Sequence, residues 1–258
     1  MIPERLLTSP RTDAVHLSTT SRCNLRCVYC EVSAPGYVGS DFDFSSFDGV
    51  IALLVERGVK GVSFYGEGET TFVPGWERHL AELQAAGIRT ALVTNLARRL
   101  TPSEREVLLS VDDLYVSCDT TDSDVFRKTR TGNVAVLLQN MVELQGLAIA
   151  RTGRAKDLTW HCVLNTMSCR TLVAWVASGL ALGVARFSLG QLLPKAHNQQ
   201  VACITSLPDE EFRDCARLVE EAEALAKRHG RKFEFQAGFA EVLRARGAAL
   251  ARESGVAG

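Results

Sequence analysis

The stretch "STTSRCNLRCVYCEVS" (18–33) places three cysteines close together, with the spacing C-x3-C-x2-C. It overlaps the end of "AVHLST" (14–19), a short run with alternating apolar residues that predicts a β-strand. The pattern that follows, "SSFDGVIALLVERG", has the apolar spacing of an amphipathic helix. The three thiols are therefore expected in the loop between a first strand and a first helix.

The same alternation of strand and helix patterns repeats along the chain. Five further strands are predicted, at "GVSFYG" (61–66), "IRTALVTN" (88–95), "DLYVSCD" (113–119), "DLTWHCVLN" (157–165) and "ARFSLG" (185–190). Repeated βα units favour a parallel sheet with right-handed crossovers. For a chain of 258 residues we expect an α/β fold, a partial (β/α)6 TIM-type barrel, rather than an open doubly wound sheet.

The barrel core is predicted to occupy residues 1–194. Residues 195–258 contain the strongly amphipathic pattern "LPDEEFRDCARLVEEAEALAKRHG", a short strand "KFEFQ" and a last helix. No linker, repeat or low-complexity segment separates the two parts. We therefore expect one domain whose short helical C-terminal extension packs on the barrel.

Composition narrows the class of protein. The formal net charge is −1, from 29 basic and 30 acidic residues, so the balance of charge indicates neither nucleic acid nor an anionic membrane as a partner. The chain has no pattern of a signal peptide and no apolar run of membrane-spanning length. A cytoplasmic setting is expected. There, the eight cysteines are interpreted as metal ligands, reactive thiols or small buried groups rather than disulfides.

The position of the three cysteines after a strand indicates an active site. In a βα barrel the loops that follow the strands form the face where active sites are built. Three thiolates suit an iron–sulfur cluster that keeps one iron open. A structural zinc site usually takes four ligands from two separated pairs, and no second C-x2-C pair is present. A non-catalytic zinc module would need a fourth ligand, such as His16 or Cys169.

The motif "CNLRCVYC" (23–30) resembles the signature of the radical S-adenosylmethionine (radical SAM) superfamily, including the aromatic Tyr29 before the last cysteine. The resemblance implies that Cys23, Cys27 and Cys30 bind a 4Fe-4S cluster whose open iron is chelated by S-adenosylmethionine. Reductive cleavage of that cofactor would yield a 5′-deoxyadenosyl radical, which abstracts hydrogen from a substrate. An electron donor such as a flavodoxin or ferredoxin is implied as a partner.

Later strand ends are similar to other segments of the family. "YGEGETTF" (65–72) is similar to the family's Gly-Gly-Glu-Pro segment, with Thr70 where proline is usual. "VTNLARRL" (93–100) is similar to its Thr-Asn-Gly turn, with Leu96 in place of glycine, and "LYVSCD" (114–119) resembles its Ser-Leu-Asp strand. The resemblance implies that S-adenosylmethionine is positioned by Tyr29, Glu67, Gly68, Glu69, Asn95, Ser117 and Asp119.

Strand alternation predicts which side chains face the barrel cavity. In the fifth strand, the apolar set that includes Trp160 and Cys162 suits the helix-covered outside. The other set then points inward, and we predict that His161 and Asn165 contact the substrate. Polar side chains in the cavity suit a small molecule rich in hydroxyl or amino groups.

Two cysteines are candidates for a second chemical step. Cys169 and Cys203 follow the fifth and sixth strands, on the side of the predicted cluster, where a thiol could donate hydrogen to a substrate radical. The alternative for each is a small buried side chain. A dehydrogenase or peptide modifier would carry an auxiliary cluster. We disfavour that reading because residues 216–258 contain no cysteine.

These features together predict a radical SAM enzyme that acts on a C–H bond of a small polar metabolite. A sugar, aminoglycoside, nucleoside or amino-acid-like substrate is expected, with epimerisation or related chemistry in natural product biosynthesis. About twelve residues precede the first strand, too few for a domain that binds a peptide leader, which favours a metabolite over a ribosomal peptide.

Overall fold

The computed structural model describes residues 13–193, 197–198 and 200–253. The predicted domain boundary at 194/195 and both predicted chain-end limits lie outside these residues. Seven strands form one parallel sheet in sequence order, with each strand paired to the next. They are β1 (Ala14–Leu17), β2 (Gly61–Phe64), β3 (Arg89–Thr94), β4 (Asp113–Ser117), β5 (Leu158–Leu164), β6 (Arg186–Gln191) and β7 (Lys232–Phe235).

Helices follow the strands and cover one face of the sheet. They are α1 (Phe47–Glu56), α2 (Trp76–Ala85), α3 (Pro102–Ser110), α4 (Ser123–Arg130), α5 (Val134–Thr152), α6 (Leu172–Ala181), α7 (Asp209–Arg228) and α8 (Phe239–Glu253). The predicted α/β partial barrel is confirmed, and the sheet is open because it ends at β1 and β7. The strand "KFEFQ", placed in the extension by sequence, is β7 and extends the barrel sheet beside β6.

Local sequence explains where helices begin and end. The side chain of Thr101 accepts from the Glu104 amide and that of Glu104 from the Thr101 amide, a capping box that starts α3 with Pro102 in its first turn. The Asn133 side chain caps the start of α5 by accepting from the Ala135 amide. Gly153 ends α5 in the left-handed region, at φ 72°, where glycine has no steric penalty.

The hydrophobic core lies between the sheet and the helices. In β5, Trp160 and Cys162 are fully buried on the helix side, while His161 on the other face stays partly exposed, as strand alternation predicts. The indole of Trp160 packs near Trp175 of α6, which contacts Phe187 of β6, with ring centroids 6.0 and 5.2 Å apart.

A disulfide ties the C-terminal part to the barrel. Cys169, just before α6, is bonded to Cys215 of α7, and both residues are buried. The sequence led us to expect reduced cysteines here; the three-dimensional packing of α6 against α7 brings these two together across 46 positions of sequence. Within the described ranges, no single helix has the length and composition to cross a bilayer, although the bent pair α4 and α5 meets the test when taken together.

Candidate active site

The three motif cysteines lie in the loop that leaves β1, and all three carry free thiols that are partly exposed. The sulfur of Cys23 accepts from the Leu25 amide at 3.4 Å and lies 3.7 Å from the side-chain nitrogen of Asn95. The backbone amide of Cys30 donates to the Cys27 carbonyl at 2.9 Å, which tightens the loop between these two cysteines. The Leu25 amide and the Asn95 side chain are donors of the kind that stabilises a metal-bound thiolate.

The thiols fit a cluster better than a single ion. Among the described residues, no three His, Cys, Asp or Glu side chains converge closely enough to hold one metal ion. A zinc ion needs such convergence, and Cys169, one proposed fourth ligand, is bonded to Cys215. The cysteines that hold an iron–sulfur cluster bind different irons, so they need not meet at one point.

Burial disfavours the charged thiolate form of Cys23 and Cys27. Desolvation raises the pKa of the Cys23 thiol to about 11 and that of Cys27 to about 12. With no cation bound, both groups would be neutral at physiological pH. The irons of a cluster supply the positive charge that deprotonates a coordinating thiol.

A buried ion pair lies behind the cysteine loop. The Asp119 carboxylate, fully buried at the end of β4, accepts two hydrogen bonds from the Arg130 guanidinium at 2.7 and 2.8 Å. It also accepts from the Val163 amide at 2.9 Å and from the Tyr29 hydroxyl. The positive charge of Arg130 reaches Cys27 as well. This network joins the cysteine loop to the ends of β4 and β5.

The network shows how Asp119 is held and includes a further residue, Arg130. The resemblance implied that Asp119 positions S-adenosylmethionine; its oxygens are enclosed and bonded to protein donors, including Tyr29 and Arg130. Sequence analysis did not single out Arg130. The signal that could have found it is its position at the end of α4, shortly after the strand that carries Asp119.

A second buried carboxylate, Glu69, orders the neighbouring loop. It is 3% exposed and accepts from the amide and hydroxyl of Thr71, the hydroxyl of Thr94 and the amide of Asn95, all between 2.7 and 3.1 Å. The two bonds from Thr71 lie within the loop after β2, and those from Thr94 and Asn95 tie that loop to the end of β3. Glu69 therefore also has an internal role, whereas Glu67 is exposed and accepts from the Tyr37 hydroxyl at 3.0 Å.

Gly68 brings this loop against the cysteine loop. A Cβ at Gly68 would lie 2.4 Å from the carbonyl oxygens of Thr20 and Arg22, so only glycine fits. Its amide donates to Thr20, and the next amide donates to Arg22. Thr70, which stands where the family has proline, is buried, and its hydroxyl is hydrogen-bonded to that of Thr19 at 3.0 Å. This hydrogen bond adds a constraint on the loop that proline would otherwise supply.

The turn after β3 keeps its shape without glycine. Leu96 adopts φ 47°, in the left-handed region, and its side chain is fully buried. The Asn140 side chain donates to the carbonyls of Leu96 and Arg98 at 2.9 and 2.6 Å, which holds the turn. Its neighbour Asn95 is thereby aimed at the cysteine loop, where it donates to the Asn24 side chain at 2.9 Å.

Polar side chains form a row across the open face of the sheet. Ser117, His161 and Ser188 are in register on β4, β5 and β6. Nδ1 of His161 lies 3.1 Å from the Ser188 hydroxyl, and burial lowers the pKa of its imidazole below the usual value. The predicted inward direction of His161 agrees with this placement.

The side chain of Asn165 does not join this row of polar side chains. It is fully buried, its side-chain oxygen accepts from the amides of Met167 and Ser168, and its side-chain nitrogen donates to the Val163 carbonyl. Its side chain closes the turn after β5, which makes Asn165 a structural residue. The sequence pattern could not separate these two possibilities because both place asparagine at a strand end.

The two candidate hydrogen donors differ. Cys169 is fully buried and, being bonded to Cys215, has no thiol hydrogen in this structure. Cys203 is free and buried; its sulfur lies 3.0 Å from the Thr205 hydroxyl, and its side chain belongs to an apolar cluster with Tyr29. Nε2 of His197, a residue that sequence analysis did not select, lies 2.9 Å from the Cys30 carbonyl.

Comparisons with known proteins agree with this geometry. The model of the Radical SAM superfamily matches residues 17–154. GTP 3′,8-cyclase of Chlorobaculum tepidum is 30% identical over 146 residues, 53% of this chain and 43% of that protein. The cyclase of Rhizobium leguminosarum bv. trifolii is 28% identical over 142 residues, 52% of this chain and 40% of that protein. The chain thus spans less than half the length of these curated relatives.

Solved structures share the fold at low identity. SuiB of Streptococcus suis, bound to S-adenosylmethionine, superposes with a TM-score of 0.68 at 16% identity, over 87% of this chain and 50% of SuiB. The structure titled native anSMEcpe with bound AdoMet and Cp18Cys peptide gives 0.62 at 15% identity, over 86% and 62%. The family model, which covers more than half of the chain, shows that this protein belongs to the radical SAM superfamily of enzymes, which use a 4Fe-4S cluster and S-adenosylmethionine.

Proposed function

We propose that the protein reductively cleaves S-adenosylmethionine at a 4Fe-4S cluster bound by Cys23, Cys27 and Cys30, and that the resulting radical abstracts hydrogen from a small polar metabolite. The observation that carries the proposal is the position of the three free thiols in the loop that leaves β1, beside a sheet whose open face carries the polar row of Ser117, His161 and Ser188. The bound cluster and cofactor supply the one-electron chemistry, and the protein supplies orientation.

The surroundings of the ligands suit this task. The Leu25 amide and the Asn95 side chain direct donors at the Cys23 sulfur, which stabilises negative charge there. Tyr29 is held by Asp119 and Arg130, and it precedes Cys30 directly. We assign this network the function of fixing the cysteine loop so that the three thiolates are preorganised.

The contacts to S-adenosylmethionine follow from which groups remain available. The exposed Glu67 carboxylate is better placed to receive the methionine ammonium than the enclosed Glu69. The Ser117 hydroxyl and the backbone around Gly68 are the further proposed contacts, with Asn95 beside them. In this assignment Glu69, Asp119 and Tyr29 position the cofactor through the loops they hold.

The reaction class is proposed as epimerisation or related redox-neutral chemistry, with Cys203 as hydrogen donor. Its free thiol packs beside Tyr29, close to the cysteine loop. The remaining cysteines do not favour an auxiliary cluster, since Cys118 and Cys162 are fully buried and Cys169 is bonded to Cys215. The curated relatives are named for a reaction of GTP, itself a small polar metabolite, which supports that class of substrate.

A reducing partner completes the proposal. One electron must reach the cluster for each cleavage, and a second electron with a proton must restore the Cys203 thiol after it has given its hydrogen atom to the substrate radical. We propose a flavodoxin or ferredoxin, and with it a cytoplasmic setting, as the source of both electrons. Replacing Cys203 with alanine should leave cleavage of S-adenosylmethionine intact and stop turnover of substrate. Loss of both activities would instead assign Cys203 a structural role.

The first test measures iron, sulfide and 5′-deoxyadenosine after anaerobic reconstitution and reduction. The intact chain should bind about four irons, and Cys27→Ala should lose both the cluster and cofactor cleavage while the circular dichroism spectrum is retained. Cys118→Ala is the matched control because that thiol is fully buried in the core, and it should keep both. Cleavage retained in Cys27→Ala would refute the assignment.

A further inference from the structure

A polar notch lies across β5, β6 and β7, the three strands farthest from β1, which leads into the cysteine loop. Gly190 of β6 is its floor: a Cβ there would lie 2.9 Å from Oε1 of Gln236 and 2.9 and 3.0 Å from Cε1 and Nε2 of His161. The amide of Gln236, just after β7, donates to the Leu189 carbonyl at 2.8 Å, which fixes its place beside β6. An imidazole and a side-chain amide therefore meet over bare backbone.

The groups in the notch offer both hydrogen-bond donors and acceptors. Nδ1 of His161 is occupied by Ser188, so Nε2 is the nitrogen turned towards the notch. The Gln236 side chain is exposed and carries an acceptor oxygen and a donor nitrogen. A ligand that presents adjacent hydroxyl or amino groups can satisfy both side chains at once.

Charge in the notch is negative. Glu234 of β7 is in register with Ser188, on the same face of the sheet, and is exposed. Among the residues that the structure describes, it forms no ion pair. The cations Arg186 and Lys232 are a register pair at the starts of β6 and β7, two residues before Ser188 and Glu234. Arg186 is bonded to Asp157 and Thr159. A carboxylate at this level repels a phosphate and attracts an amine.

We propose that His161, Ser188, Glu234 and Gln236 form the substrate site over Gly190, and that it binds vicinal amino and hydroxyl groups, as in an amino sugar. The inference rests on the proposed function, because these residues continue the polar row of the open sheet face from Ser117 through His161 and Ser188 to Glu234 of β7. It assigns β7, and so the C-terminal part of the chain, a direct part in substrate recognition. Sequence analysis had not placed Glu234 or Gln236 here.

The test uses saturation-transfer NMR on the cluster-loaded, S-adenosylmethionine-bound enzyme, with glucosamine, N-acetylglucosamine and glucose 6-phosphate as probes. Glucosamine should bind, N-acetylglucosamine more weakly, and the phosphate least. Gln236→Ala should weaken glucosamine binding by about 3- to 10-fold, the loss of one neutral hydrogen bond. Gly190→Ala should abolish it because the new Cβ would collide with the His161 and Gln236 side chains, whereas Gly146→Ala in α5, where a Cβ meets nothing within 4 Å, should leave it unchanged.

Several outcomes would overturn the inference. The site is excluded for amino and hydroxyl groups if glucose 6-phosphate binds as tightly as glucosamine, or if no probe binds. It is also excluded if Gln236→Ala and Gly190→Ala bind glucosamine as tightly as the parent does. Cleavage of S-adenosylmethionine without substrate is measured in parallel in the parent and in Gly146→Ala, where it should be the same. If the parent lacks that cleavage, the proposed function fails separately from the notch.

Discussion

The two ends of the sheet handle charge in opposite ways. At the end that carries the cysteines, Asp119 and Arg130 are 0% and 6% exposed and bonded through two hydrogen bonds. At the other end, Arg89 is 70% exposed and approaches Asp112 and Asp113 only at 3.7 and 3.4 Å. Burying charge is costly unless every charge is paired, so the cysteine end carries a cost that the other end avoids.

The difference shows where precise geometry is required. A buried pair holds its two residues together, because an arrangement that separates them leaves a buried charge without compensation. An exposed pair contributes little, since water and salt screen it. Within one sheet, the end proposed to hold the cluster is therefore the rigid one, and substitutions at the two ends should differ in their effects on the free energy of unfolding.

The largest effect is expected at Arg130. Arg130→Met leaves Asp119 buried without its cation and should lower the free energy of unfolding by about 3–5 kcal/mol. Arg89→Met, at the opposite end, should cost about 0–1 kcal/mol. Urea unfolding of the parent and of both variants, under anaerobic conditions, measures the two losses in the free energy of unfolding. Equal losses would show that the two ends do not differ.

A smaller effect is expected at Glu69. In Glu69→Gln an amide group replaces one carboxylate oxygen among four donors, so at least one buried donor loses its acceptor. The expected loss is about 1–3 kcal/mol. The matched control is Glu67→Gln in the same loop, which is exposed and should change stability by less than about 0.5 kcal/mol. A larger loss at Glu67 would contradict the internal role of Glu69.

The smallest effect concerns pH. Burial holds the pKa of His161 below its value in the unfolded chain, about 6.5, so protonation favours the unfolded chain. The contribution of neutral His161 to the free energy of unfolding is complete above the pKa of this residue in the unfolded chain. It is lost as the pH falls through the pKa of His161 in the folded protein. Urea unfolding at several pH values from neutral to mildly acid should show this decline. His161→Asn should reduce it, and His229→Asn, at the exposed end of α7, should not.

Much of the fold could be read from local patterns. Alternation in β5 predicted that Trp160 and Cys162 face the helices, because side-chain direction in a strand is set by its period of two. It could not tell that Asn165 closes its own turn, since that depends on where the amides of Met167 and Ser168 lie. It also could not pair Cys169 with Cys215, which are 46 positions apart.

The sequence by itself determined the βα repeat, the loop of Cys23, Cys27 and Cys30 and the family, because these depend on spacing within short segments. Only the tertiary structure decided that Glu69 and Asp119 are enclosed, that Arg130 lies behind the cysteines, and that β7 brings Gln236 to His161. Each of these facts is a contact between distant parts of the chain. Burial and partner choice are set by packing, and no local pattern encodes which distant donor reaches a carboxylate.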